Sequence, residues 1–278
     1  MVLRSGDGLP PPASLARRHF MRIFAASAGR LSTIAISSAV LAGCKGAAAT
    51  DTSTSTQNDP HRGSGHHCFG PGTLILTARG EVPIEDLAIG ELVMTTNGPL
   101  PVRWVGRKTI RRNGQASWHP SVMPIRVARF AINDQAPRRD LYLSQEHSLL
   151  IDGVLIPVKH LINERSIAVH HDVKMSETIE YFCVELDAHQ VIFAEGTAAE
   201  TFQYCGGQIA WDNLGDYQDL YGCEHEAMPA FAPHCRYSGG RAELQALARL
   251  AASRFVEMRD PIQIAYAQIA TRAMSIAA

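Results

Sequence analysis

Between residues 68 and 200 the apolar positions come in short runs separated by turn residues. Thr73-Leu74-Ile75-Leu76-Thr77, Glu81-Val82-Pro83-Ile84 and Leu92-Val93-Met94-Thr95 have the length and the β-branched texture of strands. Arg79-Gly80 reads as a turn, and Asn97-Gly98 as a two-residue hairpin turn, because both residues tolerate positive φ. Further β-type runs fall at 102–110, 125–130, 141–143, 149–158, 166–169 and 181–193, and no amphipathic period longer than two turns interrupts them. The spacing predicts a mostly β domain of short strands. Near the end of the chain the texture changes. Leu244, Leu247, Ala251, Phe255 and Met258 recur at helical spacing, and Ile262, Tyr266 and Ile269 resume it after Asp260-Pro261. The pattern predicts two closing helices broken near Pro261, able to pack on the β domain or to mediate self-association.

The front of the chain carries a third pattern. Residues 1–30 hold five arginines and one acid, and the thirteen residues 31–43 carry no charge, the profile of a secretory signal peptide. Such a run falls short of the roughly 20 residues that span a bilayer, so no permanent transmembrane helix is expected. Arg17-Arg18-His19-Phe20 ahead of it resembles the twin-arginine export signal. Leu41-Ala42-Gly43-Cys44 resembles a bacterial lipobox, in which the signal is cut before the cysteine and the thiol is lipidated; the competing reading is an ordinary cut among Ala47-Ala48-Ala49 that discards Cys44. Ala, Thr, Ser, Asp and Gly dominate the next stretch, as in a disordered linker. The expected organisation is a signal peptide over 1–43, a linker over 44–67, a β domain over 68–202 and an extension over 203–278 ending in helices. The expected location is exported, periplasmic or anchored at the cell envelope through Cys44.

Composition narrows the chemistry. A net charge of −1 supplies no field to hold a polyanion, which removes nucleic acid from the expected partners. The six cysteines, at 44, 68, 183, 205, 223 and 235, are too sparse for a disulfide scaffold and form no CxxC pair. His66-His67 beside Cys68, Cys223-x-His225 and His234-Cys235 match no standard zinc spacing, so neither metal nor other cofactor is expected. Cys205, Cys223 and Cys235 read as core residues or an exported-protein disulfide, and Trp104, Trp118 and Trp211 as core or edge aromatics.

Cys68 opens the folded region directly after the linker, which puts its thiol close to its own upstream carbonyl. Attack there replaces the amide by a thioester, an N-to-S acyl shift. A free cysteine titrates near 8.5, so the site needs a base or a depressed pKa. A histidine, with an unperturbed pKa of about 6.5, can take that proton or return one to the leaving nitrogen. His147 closes a Ser144-Gln145-Glu146-His147 unit, and Ser144 can donate a hydrogen bond to the carbonyl oxygen as it becomes tetrahedral. Asp187-Ala188-His189 adds an acid and a second histidine. Each has a structural counter-reading: Cys68 as a small core residue, His147 as a satisfied core histidine, Ser144 as a turn hydroxyl, and Asp187 with His189 as a strand-end turn.

Three blocks stand in order along the chain. The first is Cys68-Phe69-Gly70-Pro71-Gly72-Thr73-Leu74-Ile75 with Val82-Pro83-Ile84-Glu85-Asp86-Leu87 and Gly90. The second is Leu143-Ser144-Gln145-Glu146-His147. The third spans 181–196 and includes Asp187-Ala188-His189 and Phe193-Ala194-Glu195-Gly196. Together they resemble a Hedgehog/intein (Hint) domain over residues 68–202, and the Cys-Phe opening and Ala-Glu-Gly close resemble a bacterial subgroup outside the splicing inteins. The resemblance implies a Hint-type horseshoe of short strands with a C-terminal helical extension. It implies autocatalytic cleavage of the His67–Cys68 bond, with the chain's own N-terminal segment as substrate and water or an added nucleophile resolving the thioester. Cys68 would be the nucleophile, His147 and Ser144 would assist, and His189 or Asp187 would help resolution. Two departures matter. The third-block aspartate position falls on Phe182 with Cys183 beside it, and no His-Asn pair followed by Cys, Ser or Thr closes the block, so splicing is not expected. A rival expectation is a Hint fold without chemistry, an interaction module anchored at the cell surface, since only residues 44–67 would remain to be released. A cysteine hydrolase acting on other molecules is a third.

Overall fold

The computed structural model describes residues 67–204, 211–223, 226–235 and 260–276, all within the compact unit Gly63–Ala278. The signal and lipobox readings, the linker as far as residue 66, Cys205, His225 and the helix expected over 241–258 lie outside the described residues, whereas His67, expected to end the linker, is buried in the domain. Among the described residues the chain runs β1 (Leu74–Thr77), β2 (Gly80–Pro83), β3 (Leu92–Thr95), β4 (Gly98–Pro101), β5 (Trp104–Arg111), β6 (Ile125–Val127) and β7 (Leu141–Leu143). It continues through β8 (Ser148–Ile151), β9 (Val154–Pro157), β10 (Ile167–Val169), β11 (Thr178–Glu185), β12 (Val191–Ala194) and β13 (Thr197–Glu200) to helices α1 (Leu214–Tyr221) and α2 (Pro261–Ile276). The fold is mostly β, as the spacing predicts, and its named strands pair antiparallel. An eight-stranded sheet runs β2-β1-β3-β12-β13-β8-β9 with β4 on β3; β10-β6-β7 form a second sheet, and β11 and β5 a long ribbon in register from Thr178 opposite Arg111 to Glu185 opposite Trp104.

Two hairpins share one turn design. In each a buried threonine three residues before a glycine donates its hydroxyl to the glycine carbonyl at 2.7 Å: Thr77 to Gly80 and Thr95 to Gly98. The same hydroxyl accepts the N–H two residues on, from Arg79 at 3.2 Å and Asn97 at 3.0 Å. The loop of the second hairpin is therefore Thr96-Asn97, not Asn97-Gly98. Thr95 pairs with Gly98, and of the two expected turn residues only Gly98 has a positive φ, 111°. The threonine hydroxyl competes with the local Asn-Gly preference and shifts the turn by one residue. The expected run 149–158 is split into β8 and β9 by Asp152-Gly153, at φ 49° and 82°. The run 181–193 likewise divides into β11 and β12, with Asp187 and His189 in the connection.

The buried residues form two clusters. The larger joins Phe69, Ile75, Leu143, Leu149, Phe182 and Ile192 to Ile262, Ala265 and Ile269 of α2, so this helix packs on the β domain. Asp260 caps it, its Oδ1 accepting the Ile262 N–H at 3.0 Å, and Pro261 takes the first turn where its missing N–H costs nothing. The buried stripe is Ile262, Ala265, Ile269 and Ala273; Tyr266, expected on it, is 41% exposed because its position turns toward the flank of the helix. The second cluster gathers Cys68, Trp104, Trp118, Tyr181, Cys183, Trp211 and Tyr217. Helix α1 belongs to it through Tyr217, whose ring meets Trp104 edge-on at 5.3 Å.

Candidate active site at the head of the domain

Cys68 and Phe69 are wedged between strands of two different sheets. Phe69 exchanges both backbone hydrogen bonds with Phe182 of β11, at 2.8 and 2.9 Å. On the other side Gly70 N–H donates to the Tyr142 carbonyl of β7 at 2.8 Å, and Ser144 N–H to the Cys68 carbonyl at 2.9 Å. Residue 70 must be glycine for this approach, because a Cβ there would stand 2.9 Å from Tyr142 Cβ. Both carboxylate oxygens of Glu85 accept the Gly72 N–H, at 3.0 and 2.9 Å. Glu195 accepts the Leu74 N–H at 2.8 Å and is paired with Arg139 at 2.6 Å. The Pro-Ile-Glu-Asp-Leu and Ala-Glu-Gly motifs thus fix the backbone just after the cysteine.

The peptide bond ahead of Cys68 is enclosed: Cys68 is fully buried and His67 is 5% exposed. Burial pushes the Cys68 thiol far above its ordinary range, while a hydrogen bond from Ser144 and the charge of Lys108 pull the other way. The thiol is neutral at rest, so of the two devices a cysteine nucleophile can use, a lowered pKa and a nearby base, only the second would serve it here. Ser144 Oγ accepts the Cys68 N–H at 3.0 Å, which places the hydroxyl on the amide nitrogen of the His67–Cys68 bond as well as beside the thiol.

His147 is the base. It is fully buried, and burial lowers its pKa to about 4, with the charge of Glu200 opposing. Its ring meets Phe69 edge-on at 4.3 Å and lies 6.4 Å from the His67 ring. Neither ring nitrogen makes a well-formed hydrogen bond among the described residues, though the carbonyls of Cys68 and Glu200 are near enough to favour the protonated ring. At neutral pH this is an uncharged imidazole, a form that can accept a proton.

The expected acid and second histidine part company. Asp187 is 84% exposed and faces Arg103 at 3.8 Å. His189 is buried and joins a group that the sequence did not suggest, centred on Glu200 at the end of β13. Glu200 Oε1 receives His67 Nδ1 at 2.5 Å and the Ser148 N–H at 2.6 Å; Oε2 receives His234 Nε2 at 3.0 Å and faces His189 Nε2 at 3.3 Å. Burial opposes ionisation of this carboxyl, but His67 with the hydrogen bonds of His189 and His234 outweighs it and holds the group well below the carboxylate range. An ionised carboxylate only accepts, so the contacting nitrogens are donors. The only trace of Glu200 in the sequence is an acid inside the apolar stretch 191–202, and His234 is 34 residues further on.

His189, Glu200 and His234 place one ligand atom each within 4.8 Å of one another, the spacing of a metal centre. The protonation pattern argues against that use. The Phe231 N–H donates to His189 Nδ1 at 3.0 Å, which leaves the proton on Nε2, the atom a metal would need. The group is a hydrogen-bonded carboxylate hub.

A buried thiol and a hydroxyl at the His67–Cys68 bond, with an uncharged imidazole near the Cys68 carbonyl, in a fold of short antiparallel strands, have the make-up of a self-processing domain. The family model described as the Hint domain matches residues 67–206, half of the chain, and the chain belongs to that family. Among solved structures the chain is similar to the bacterial intein-like domain from Clostridium thermocellum, at 13% identity over 49% of this chain and 99% of that one, with a TM-score of 0.36. The DnaB intein from Synechocystis sp. PCC 6803 follows at 15% identity, 49% and 98% coverage and a TM-score of 0.33, and the gp41-1 intein at 13%, 48%, 96% and 0.33. Among curated proteins nothing matches.

Proposed function

We propose that the chain cuts its own His67–Cys68 bond through a thioester at Cys68, without splicing. The observation that carries this reading is the enclosure of that bond: a nucleophile with no exposed surface has its own upstream carbonyl as its substrate. His147 takes the Cys68 proton as Sγ attacks the His67 carbonyl carbon. The tetrahedral centre then expels the Cys68 nitrogen, which takes the proton back from the imidazolium, so a C–S bond has replaced a C–N bond and a free amine has formed. Ser144 holds the leaving nitrogen and touches the thiol, linking both reacting groups of Cys68. Water, or an added nucleophile, next attacks the thioester; the C–S bond breaks, the His67 carboxyl leaves with the N-terminal segment and the thiol is restored. His189 contributes through Glu200, and Asp187 has no part. With no asparagine closing the third block there is no route to joining the flanks.

Residues 1–43 act in this reading as a twin-arginine export signal, and Cys44 carries the lipid that ties the N-terminal segment to the envelope. The test replaces residues 1–60 by a folded reporter and incubates the protein with dithiothreitol or hydroxylamine. Mass spectrometry should find a fragment ending at His67 and one comprising residues 68–278, with no rejoined species. Full-length protein that survives excess thiol would reject self-cleavage and leave an interaction module.

A further inference from the structure

Glu200 touches neither the thiol nor the scissile nitrogen, yet one of its oxygens joins the two sides of the reaction. Oε1 holds the side chain of His67, on the acyl side of the bond, and the N–H of Ser148, next to the base His147. We propose that Glu200 is a positioning residue for the cleavage, and that its grip makes histidine the side chain selected at position 67; this rests on the acyl-shift reading above.

The physical case is one of fit and charge. The His67 side chain enters a closed space and ends on a carboxylate with no exposed surface. Such a carboxylate depends on its donors, and removing one leaves part of a buried charge unsatisfied. Alanine at 67 removes the donor and empties the space; phenylalanine fills the space but sets carbon against the charge. Asparagine carries a donor near the place of Nδ1 and restores part of the contact. The other donors come from distant parts of the chain. His189 is fixed by the Phe231 N–H and His234 reaches Oε2 directly, while Leu155 and Cys235 secure that stretch to β9 at 3.0 Å. The carboxylate is held from three directions, so its orientation is transmitted to His67.

Thiol-induced cleavage of the full-length chain tests the grip in His67→Ala, His67→Phe, His67→Asn, Glu200→Gln and the double variant His67→Ala/Glu200→Gln. Misplacing the bond should slow His67→Ala and His67→Phe on the order of 10²-fold. His67→Asn should stay within about tenfold of wild type, the worth of roughly one hydrogen bond. The double variant should be little slower than either single one, since both remove the same contact. The second readout needs no cleavage: in the Cys68→Ala chain, proton NMR should show a far-downfield, slowly exchanging His67 Nδ1 proton that vanishes when Glu200→Gln is added. If Glu200→Gln does not fold, the residue-67 series decides alone. Cleavage at wild-type rate whatever stands at 67 overturns the grip and leaves the acyl shift in place. An intact wild type with the His67 proton present overturns the acyl shift and keeps the grip as an architectural contact.

Discussion

Cys68 and His147 are both neutral at rest, and removing each should have a different signature. Cys68→Ala leaves no acceptor for the acyl group, so neither water nor hydroxylamine should release a fragment. His147→Ala keeps the thiol and loses the proton acceptor, a contribution of about 10²–10⁴-fold, and strong nucleophiles at higher pH should restore part of the rate. With its pKa lowered to about 4 by burial, the imidazole is deprotonated throughout the neutral range. The wild-type rate should therefore rise as pH climbs through about 4 and keep rising only where thiol ionisation begins; the His147→Ala profile should lack the lower limb. Gel or mass measurement of cleavage against pH checks this. Cys68, His147 and Ser144 were legible as candidates because they stand in the motif blocks. Glu200 was not, since a buried carboxylate becomes intelligible only when residues 67, 148, 189 and 234 meet around it.

Among elements, the hairpins show where local preference yields to a side chain. Asn97-Gly98 pointed to the right hairpin and the wrong register, because a threonine hydroxyl caps the turn one residue earlier. Thr95→Val removes a buried hydroxyl that both donates and accepts and should cost on the order of 1–3 kcal/mol in urea unfolding. Helix α1 was invisible to periodicity: it has eight residues, includes Gly215 and buries mainly Tyr217. Packing and polar contacts hold it, with the Tyr217 hydroxyl on Glu185 at 3.2 Å, the Tyr221 hydroxyl donating to the Arg103 carbonyl at 2.8 Å and Asn213 Oδ1 accepting the Arg107 N–H at 2.8 Å. Burial raises the Glu185 carboxyl to about 7, with Tyr217 and Arg103 opposing. Its folded value lies above that of an unfolded carboxyl, so the folded state binds the extra proton and stability falls as pH rises through about 7. Glu185→Gln should lose this slope, which Tm measured from pH 5 to pH 9 will show.

On the scale of the whole molecule, strand texture and three motif blocks were enough to read a mostly β domain, because short antiparallel strands leave a local signature. How its pieces close around one bond was not, because that depends on pairings far apart in sequence, such as Phe69 between Leu143 and Phe182. If the front segment is a twin-arginine address with a lipid site, replacing Arg17 and Arg18 by lysine should keep folded protein in the cytoplasm, and Cys44→Ala should move the N-terminal fragment from membranes to the soluble fraction. Cell fractionation with antibodies to both fragments separates the two effects; normal export of the double-lysine chain would point to the general secretory route.

The family match ends at residue 206, whereas the carboxylate that holds His67 also depends on the Phe231 N–H, through His189, and on His234. A ribosome makes the chain from the front, so the His67–Cys68 bond is finished long before the residues that complete the holder of His67. Until residue 234 has been made and laid against β9, Glu200 lacks one of its donors. If the chain cuts itself as proposed, the order of synthesis becomes an order of action: a chain interrupted before residue 234 should keep its front segment, and one extended past the matched domain should let it go.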